Sequence, residues 1–153
     1  MNSRFGQSRF LASAMACGIL WGMAFAGGCA SDRAGAALRA YPDELAQKTV
    51  LDIQVFRRDT VIEFTNTTSD AIGPGTIWLN KRFSRAIEKI AIGERVELPL
   101  TDFQDEFGDV FRAGGFFAAE PPQRLVLAQL EVAGEDGAPR VLGMIVVNTS
   151  SDQ

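Results

Sequence analysis

Apolar and polar residues alternate along most of the chain from Thr49 onward. In the first such stretch, Leu51, Ile53 and Val55 alternate with polar residues, which is the two-residue period of a strand with one buried face. Residues typical of turns separate this stretch from the later ones. The pattern predicts about seven short strands, at 49–56, 61–65, 77–79, 83–92, 96–100, 124–132 and 140–148.

Some of these stretches support further expectations. The first two are joined by Arg57, Arg58 and Asp59, so we expect them to form a hairpin. The stretch 83–92 also fits a helical period, but strands on both sides favour a strand there. The stretches 124–132 and 140–148 are apolar on both faces, which is typical of strands in the middle of a sheet.

Seven strands at turn-marked intervals predict an all-β fold, an antiparallel β-sandwich over residues 49–149. Trp78 lies on the third strand, where sandwich domains often bury an aromatic residue. On this pattern, residues 49–148 resemble immunoglobulin-like and fibronectin-III-like domains. The resemblance implies an architecture, and architecture alone does not imply an activity.

The first 28 residues have the three-part order of a secretory signal peptide. Arg4 and Arg9 precede a nearly unbroken apolar run at 10–25, and small residues follow at 26–28. We expect an N-terminal signal helix that is removed, rather than a membrane anchor. A bilayer-spanning helix needs about 20 apolar residues, and this run is shorter.

The boundary Ala26-Gly27-Gly28-Cys29 resembles the lipobox of bacterial lipoproteins. The resemblance implies that Cys29 becomes the N-terminus and the lipid attachment site, with 29–48 as lipidated cysteine and tether. It also implies an outer-membrane location facing the periplasm, because Ala30 and Ser31 follow the cysteine. The alternative is cleavage after Ala26 at an A-x-A site, which would give a soluble periplasmic or secreted protein.

The composition of the exported domain argues against several kinds of partner and site. The chain carries a net charge of −4 and a pI near 4.8, so we expect no nucleic-acid partner. It contains no histidine, the commonest acid/base and metal ligand, and its second cysteine, Cys17, lies inside the signal peptide. We therefore expect no metal, no cofactor and no enzymatic activity.

The segment 100–119 is the most unusual part of the domain, because it holds five of the eleven phenylalanines and several acids. One interpretation is a ligand-binding loop, in which aromatic rings stack on a sugar or partner and acids orient it. The alternative is a crossover whose phenylalanines plug an open end of the sandwich while the acids face solvent. The candidate ligand-binding residues are Phe103, Phe107, Phe111, Asp102, Asp105 and Asp109.

These observations predict a membrane-anchored envelope lipoprotein whose β-sandwich is a non-catalytic binding or accessory module. Its partners would be the membrane, through the lipid, and an envelope protein or polymer. The alternative is a carbohydrate-binding or hydrolytic module that uses the 101–119 loop, with Asp102 and Glu106 as acids of the right type. Lys81, Arg82, Arg85 and Lys89 form a local basic cluster, which would lie beside Arg57 and Arg58 if the two hairpins are neighbours. Such a cluster could bind anionic lipid or polymer. The alternative is that these residues are solvated charges on strand edges.

Overall fold

The structure is a computed structural model that describes residues 38–147. The predicted signal peptide, Cys29 and the first part of the predicted tether lie outside the described residues. All seven predicted strands are present, which confirms a mostly β fold. The strands are β1 (Thr49–Arg58), β2 (Val61–Thr65), β3 (Gly75–Leu79), β4 (Phe83–Ile87), β5 (Arg95–Pro99), β6 (Ala128–Ala133) and β7 (Pro139–Val147).

The expected antiparallel sandwich is wrong, because the strands form one curled sheet, a half-barrel, in the order β4-β3-β6-β7-β1-β2-β5. The first and last strands pair in parallel, with Val55 opposite Val146, and every other neighbouring pair is antiparallel. This parallel pairing joins two antiparallel groups of strands, β4-β3-β6-β7 and β1-β2-β5, into one continuous sheet. The hydrophobic period shows which face of a strand is buried, but it does not show which strand lies beside it.

The inner face of the half-barrel carries the hydrophobic core. Ile53 and Val55 of β1, Ile62 and Phe64 of β2, and Leu130 of β6 are all buried there. The predicted hairpin between β1 and β2 is confirmed, with Val55 opposite Phe64. The central position of β6 and β7 is confirmed as well, since each has a neighbour on both sides.

Two predicted strands are shorter than expected. β4 ends at Ile87 rather than at residue 92, although Ile90 makes an isolated bridge to Ile72. β6 begins at Ala128 rather than at residue 124. Before β6, the side chain of Asn80 takes the place of a neighbouring strand, because it donates to the Arg124 carbonyl (2.7 Å) and accepts from the N–H groups of 126 and 127 (2.9 and 3.2 Å).

The open end of the half-barrel is closed by the segment that follows β5. A short 3₁₀ helix at Leu100–Asp102 leads the chain away from β5, one edge of the sheet. Gln104 then pairs through its backbone with Ser84 of β4, the opposite edge, at 2.7 and 3.2 Å. The chain between these points therefore links both edges and covers the core between them.

Residues 38–47, called the strap below, lie on the outer face of the sheet. Tyr41 packs edge-to-face on Trp78 of β3, with ring centroids 5.3 Å apart. Arg39 lies over the same indole and pairs with Glu131 of β6, and the Trp78 Nε1–H donates to Glu131 at 2.8 Å. Gln47 accepts a hydrogen bond from Gln129 at 2.6 Å. This part of the predicted tether is therefore docked on the sheet.

Candidate functional site

The aromatic residues of the segment 100–119 divide into two groups. Phe103 and Phe111 are buried in the core, and Phe111 packs edge-to-face on Phe83 of β4 at 5.2 Å. Phe107 is 82 % exposed at the turn between them. Of the three phenylalanines proposed to contact a ligand, two therefore pack in the domain interior and Phe107 faces solvent.

Asp105 lies at the base of that turn and is almost completely buried. Its Oδ2 accepts hydrogen bonds from Nε and Nη2 of Arg82 (2.9 and 2.7 Å), and its Oδ1 accepts from the backbone N–H groups of Phe107 and Asp109 (3.0 and 2.8 Å). Burial by itself would raise the pKa of this carboxyl. The hydrogen bonds from Arg82, Asp109 and Phe107 outweigh that effect, so the pKa lies below its ordinary value.

The other two candidate acids are also next to arginines. Asp109 lies 3.2 Å from Nη2 of Arg82, and Asp102 lies 3.3 Å from Nη2 of Arg85. Arg85 projects from the inner face of β4, opposite Ile77, and its Nε and Nη1 are buried without a hydrogen-bond partner. Asp102, Asp105 and Asp109 therefore brace the loop against β4 and the turn before it.

The basic residues singled out in the sequence do not form one patch. β4, which carries Arg85, is separated from β1 by three intervening strands. Arg82 and Arg85 form ion pairs with acids of the loop, and Lys81 lies over the ring of Tyr41. On β1, Arg57 donates to three backbone carbonyl groups, those of Asp59, Ala113 and Gln123. Lys81, Arg82, Arg85 and Arg57 thus each have a separate local contact.

A second exposed feature lies at residues 114–119, called the apolar tip below. Phe116 and Phe117 are each 94 % exposed, and their rings pack edge-to-face at 4.9 Å. These two residues were not among the candidate site residues. The sequence does contain a sign that these two residues lie on a loop. Gly114 and Gly115 precede them and two prolines follow at 121–122, which is typical of a projecting loop.

The neck of this loop is held by several contacts. The Arg57 guanidinium donates to the carbonyl oxygens of both Ala113 and Gln123, one on each side of the neck. The Gln123 N–H donates to the Arg112 carbonyl at 2.9 Å, and the Arg112 side chain pairs with Glu120 at 2.9 Å. The apolar tip is thus a projection with a defined base.

Two other kinds of feature are absent from the part of the chain that the structure describes. Within residues 38–147 no helix is long and apolar enough to cross a membrane. The same residues contain no group of three or more histidine, cysteine, aspartate or glutamate side chains placed to hold a metal ion. In comparisons with known proteins, no family model, no curated protein and no solved structure matches the chain.

Proposed function

We propose that this protein is a lipoprotein of the bacterial cell envelope, anchored to a membrane through Cys29. The observation that carries the proposal is the apolar run at 10–25 followed by Ala26-Gly27-Gly28-Cys29. Ala30 and Ser31 after the cysteine favour the outer membrane, with the domain facing the periplasm. Stable attachment needs more than one acyl chain, because a single chain binds a bilayer only marginally.

The β domain is proposed to be a non-catalytic binding or accessory module. The contacts of the loop acids support this proposal. Asp105 and Asp109 pair with Arg82, and Asp102 pairs with Arg85. A carboxylate held in this way fixes the loop, and the lowered pKa of Asp105 makes it a poor proton donor at neutral pH. Phe103 and Phe111 likewise serve the core. These contacts favour structural roles for five of the six candidate ligand-binding residues. Phe107 and the neighbouring acid Glu106 are exposed instead.

The anchor is tested by metabolic labelling with radioactive palmitate in a diderm bacterium that expresses the full chain. We expect label in the wild type and none in a Cys29→Ala variant. The matched control is Cys17→Ala, which removes the other cysteine of the chain from within the predicted signal peptide and should keep the label. Label in Cys29→Ala, or its absence from the wild type, would overturn the proposed attachment.

A further inference from the structure

The apolar tip exposes two large rings on a part of the chain that carries no charge. From residue 113 to residue 119 every side chain is glycine, alanine or phenylalanine. Phe116 and Phe117 are 94 % exposed, more than any other large hydrophobic side chain among the described residues. Exposing such rings to water is unfavourable, so their burial against another apolar surface lowers the free energy of the system.

The charged residues at the base of the tip are placed to remain in water while the tip enters an apolar layer. The first charged residues on either side, Arg112 and Glu120, pair with each other at 2.9 Å. Entry of the tip into a nonpolar layer would therefore leave no unpaired charge of the tip itself to be desolvated. The turn also satisfies one of its own backbone donors, because the Ala118 N–H donates to the Gly115 carbonyl at 3.1 Å.

The base of the tip is fixed to the rest of the domain. Arg57 fixes both sides of the neck, and Gly114 has a left-handed φ of +81° with Pro122 so close that a Cβ atom would lie 2.9 Å from it. Glycine is therefore required at this position.

The docked strap limits how far the domain can lie from the membrane. If Cys29 carries lipid, the chain between the anchor and the strap is residues 30–37, eight residues long. Eight residues span at most about 28 Å when fully extended. The domain would then remain within roughly its own diameter of the bilayer surface, at high effective concentration for a second weak contact.

We propose that Phe116 and Phe117 insert into the headgroup and acyl boundary of the bilayer to which the protein is anchored. This inference rests on the proposed attachment at Cys29. The lipid supplies the affinity, and the apolar tip supplies a second contact that fixes which side of the domain faces the membrane. Phenylalanine is among the side chains that peripheral proteins bury at this boundary.

The test places a fluorescent probe at the tip. The full chain is expressed, the mature protein is purified from membranes, and it is reconstituted into vesicles of phosphatidylethanolamine and phosphatidylglycerol. Phe116→Trp is compared with Phe107→Trp, a matched control at a position that is 82 % exposed on a different turn. Subtracting the wild-type spectrum removes the signal of Trp78.

We expect emission of the Phe116→Trp indole to move to shorter wavelength and to be quenched by lipids brominated on their acyl chains. The Phe107→Trp indole should stay accessible to iodide in the water. An acylated protein in which the Phe116→Trp indole also stays in water overturns the tip proposal alone. Shielding in native envelope membranes but not in pure lipid vesicles also overturns it, and would indicate a protein partner. An unacylated Cys29, measured by mass spectrometry on the same sample, overturns the anchor and the tip contact together.

Discussion

The Arg82 guanidinium donates through both Nε and Nη2 to one oxygen of Asp105, at 2.9 and 2.7 Å. The second oxygen of Asp105 accepts backbone N–H groups from Phe107 and Asp109. One buried carboxylate thus connects the turn before β4 to the loop that closes the half-barrel. Charge-assisted hydrogen bonds of this kind are among the stronger ones in proteins.

The Asp105 carboxylate makes stability depend on pH in acid. Its pKa in the folded protein is lower than the ordinary value of 3.8, so the folded state binds fewer protons at this site than the unfolded state. Its contribution to stability is complete above 3.8 and is lost as the pH falls through the lower, folded pKa. We expect the wild type to be more stable than Asp105→Asn at pH 7, with a smaller difference at pH 3. Urea unfolding at both values measures this, and an equal difference at the two pH values would contradict it.

The two members of the Asp102 and Arg85 pair should respond unequally to removal. Arg85 is the more buried partner, with 16 % of its side chain exposed against 44 % for Asp102. Asp102→Ala leaves a largely buried cation without its carboxylate, and we expect it to lower the free energy of unfolding by about 1–3 kcal/mol. Arg85→Leu leaves a carboxylate that water can reach, and should cost less than about 1 kcal/mol. Chemical denaturation of both variants decides the order, and a larger loss for Arg85→Leu would refute it.

Phe103 and Phe116 lie in the same segment but should differ sharply in their effect on stability. Phe103 is fully buried, so Phe103→Ala should cost about 3–5 kcal/mol through lost burial and a residual cavity. Phe116 is 94 % exposed, so Phe116→Ala should change stability by less than about 0.5 kcal/mol. Thermal or urea unfolding of the two variants is the comparison. Similar losses would mean that the division of the loop into core and tip is incorrect.

The strap is tested through the fluorescence of Trp78. Tyr41→Ala removes the ring that packs on this indole, and we expect a loss of about 1–3 kcal/mol together with a red shift as water reaches Trp78. Tyr41→Phe keeps the aromatic ring and serves as the control, with emission close to that of the wild type. Unchanged emission in Tyr41→Ala would show that the strap does not shield the indole in solution.

The strands were predictable because their signal is local. The alternation of Leu51, Ile53 and Val55 indicates a strand with one buried face. The stretches that are apolar on both faces became β6 and β7, which are central in the sheet. The single sheet was not predictable in this way. It depends on the parallel pairing of β1 with β7, between residues about ninety positions apart, and no pattern within either strand specifies that partner.

The candidate site was predictable only as a segment. Composition singled out 100–119, but it could not separate Phe103 and Phe111 in the core from Phe107 in solvent. That division depends on how the loop crosses the open end of the half-barrel. The role of Asp105 also required the structure, since its partner Arg82 lies 23 residues earlier in the chain. The glycines and prolines around Phe116 and Phe117 were the local sign of a projecting loop.

The most direct test of the proposed anchor is the mass of the N-terminal peptide of the mature protein purified from cell membranes. The proposal predicts a chain that begins at Cys29 and carries acyl groups on that residue. A chain that begins at Gly27, with Cys29 as a free thiol, would contradict it and would indicate cleavage after Ala26 with release of an unlipidated protein.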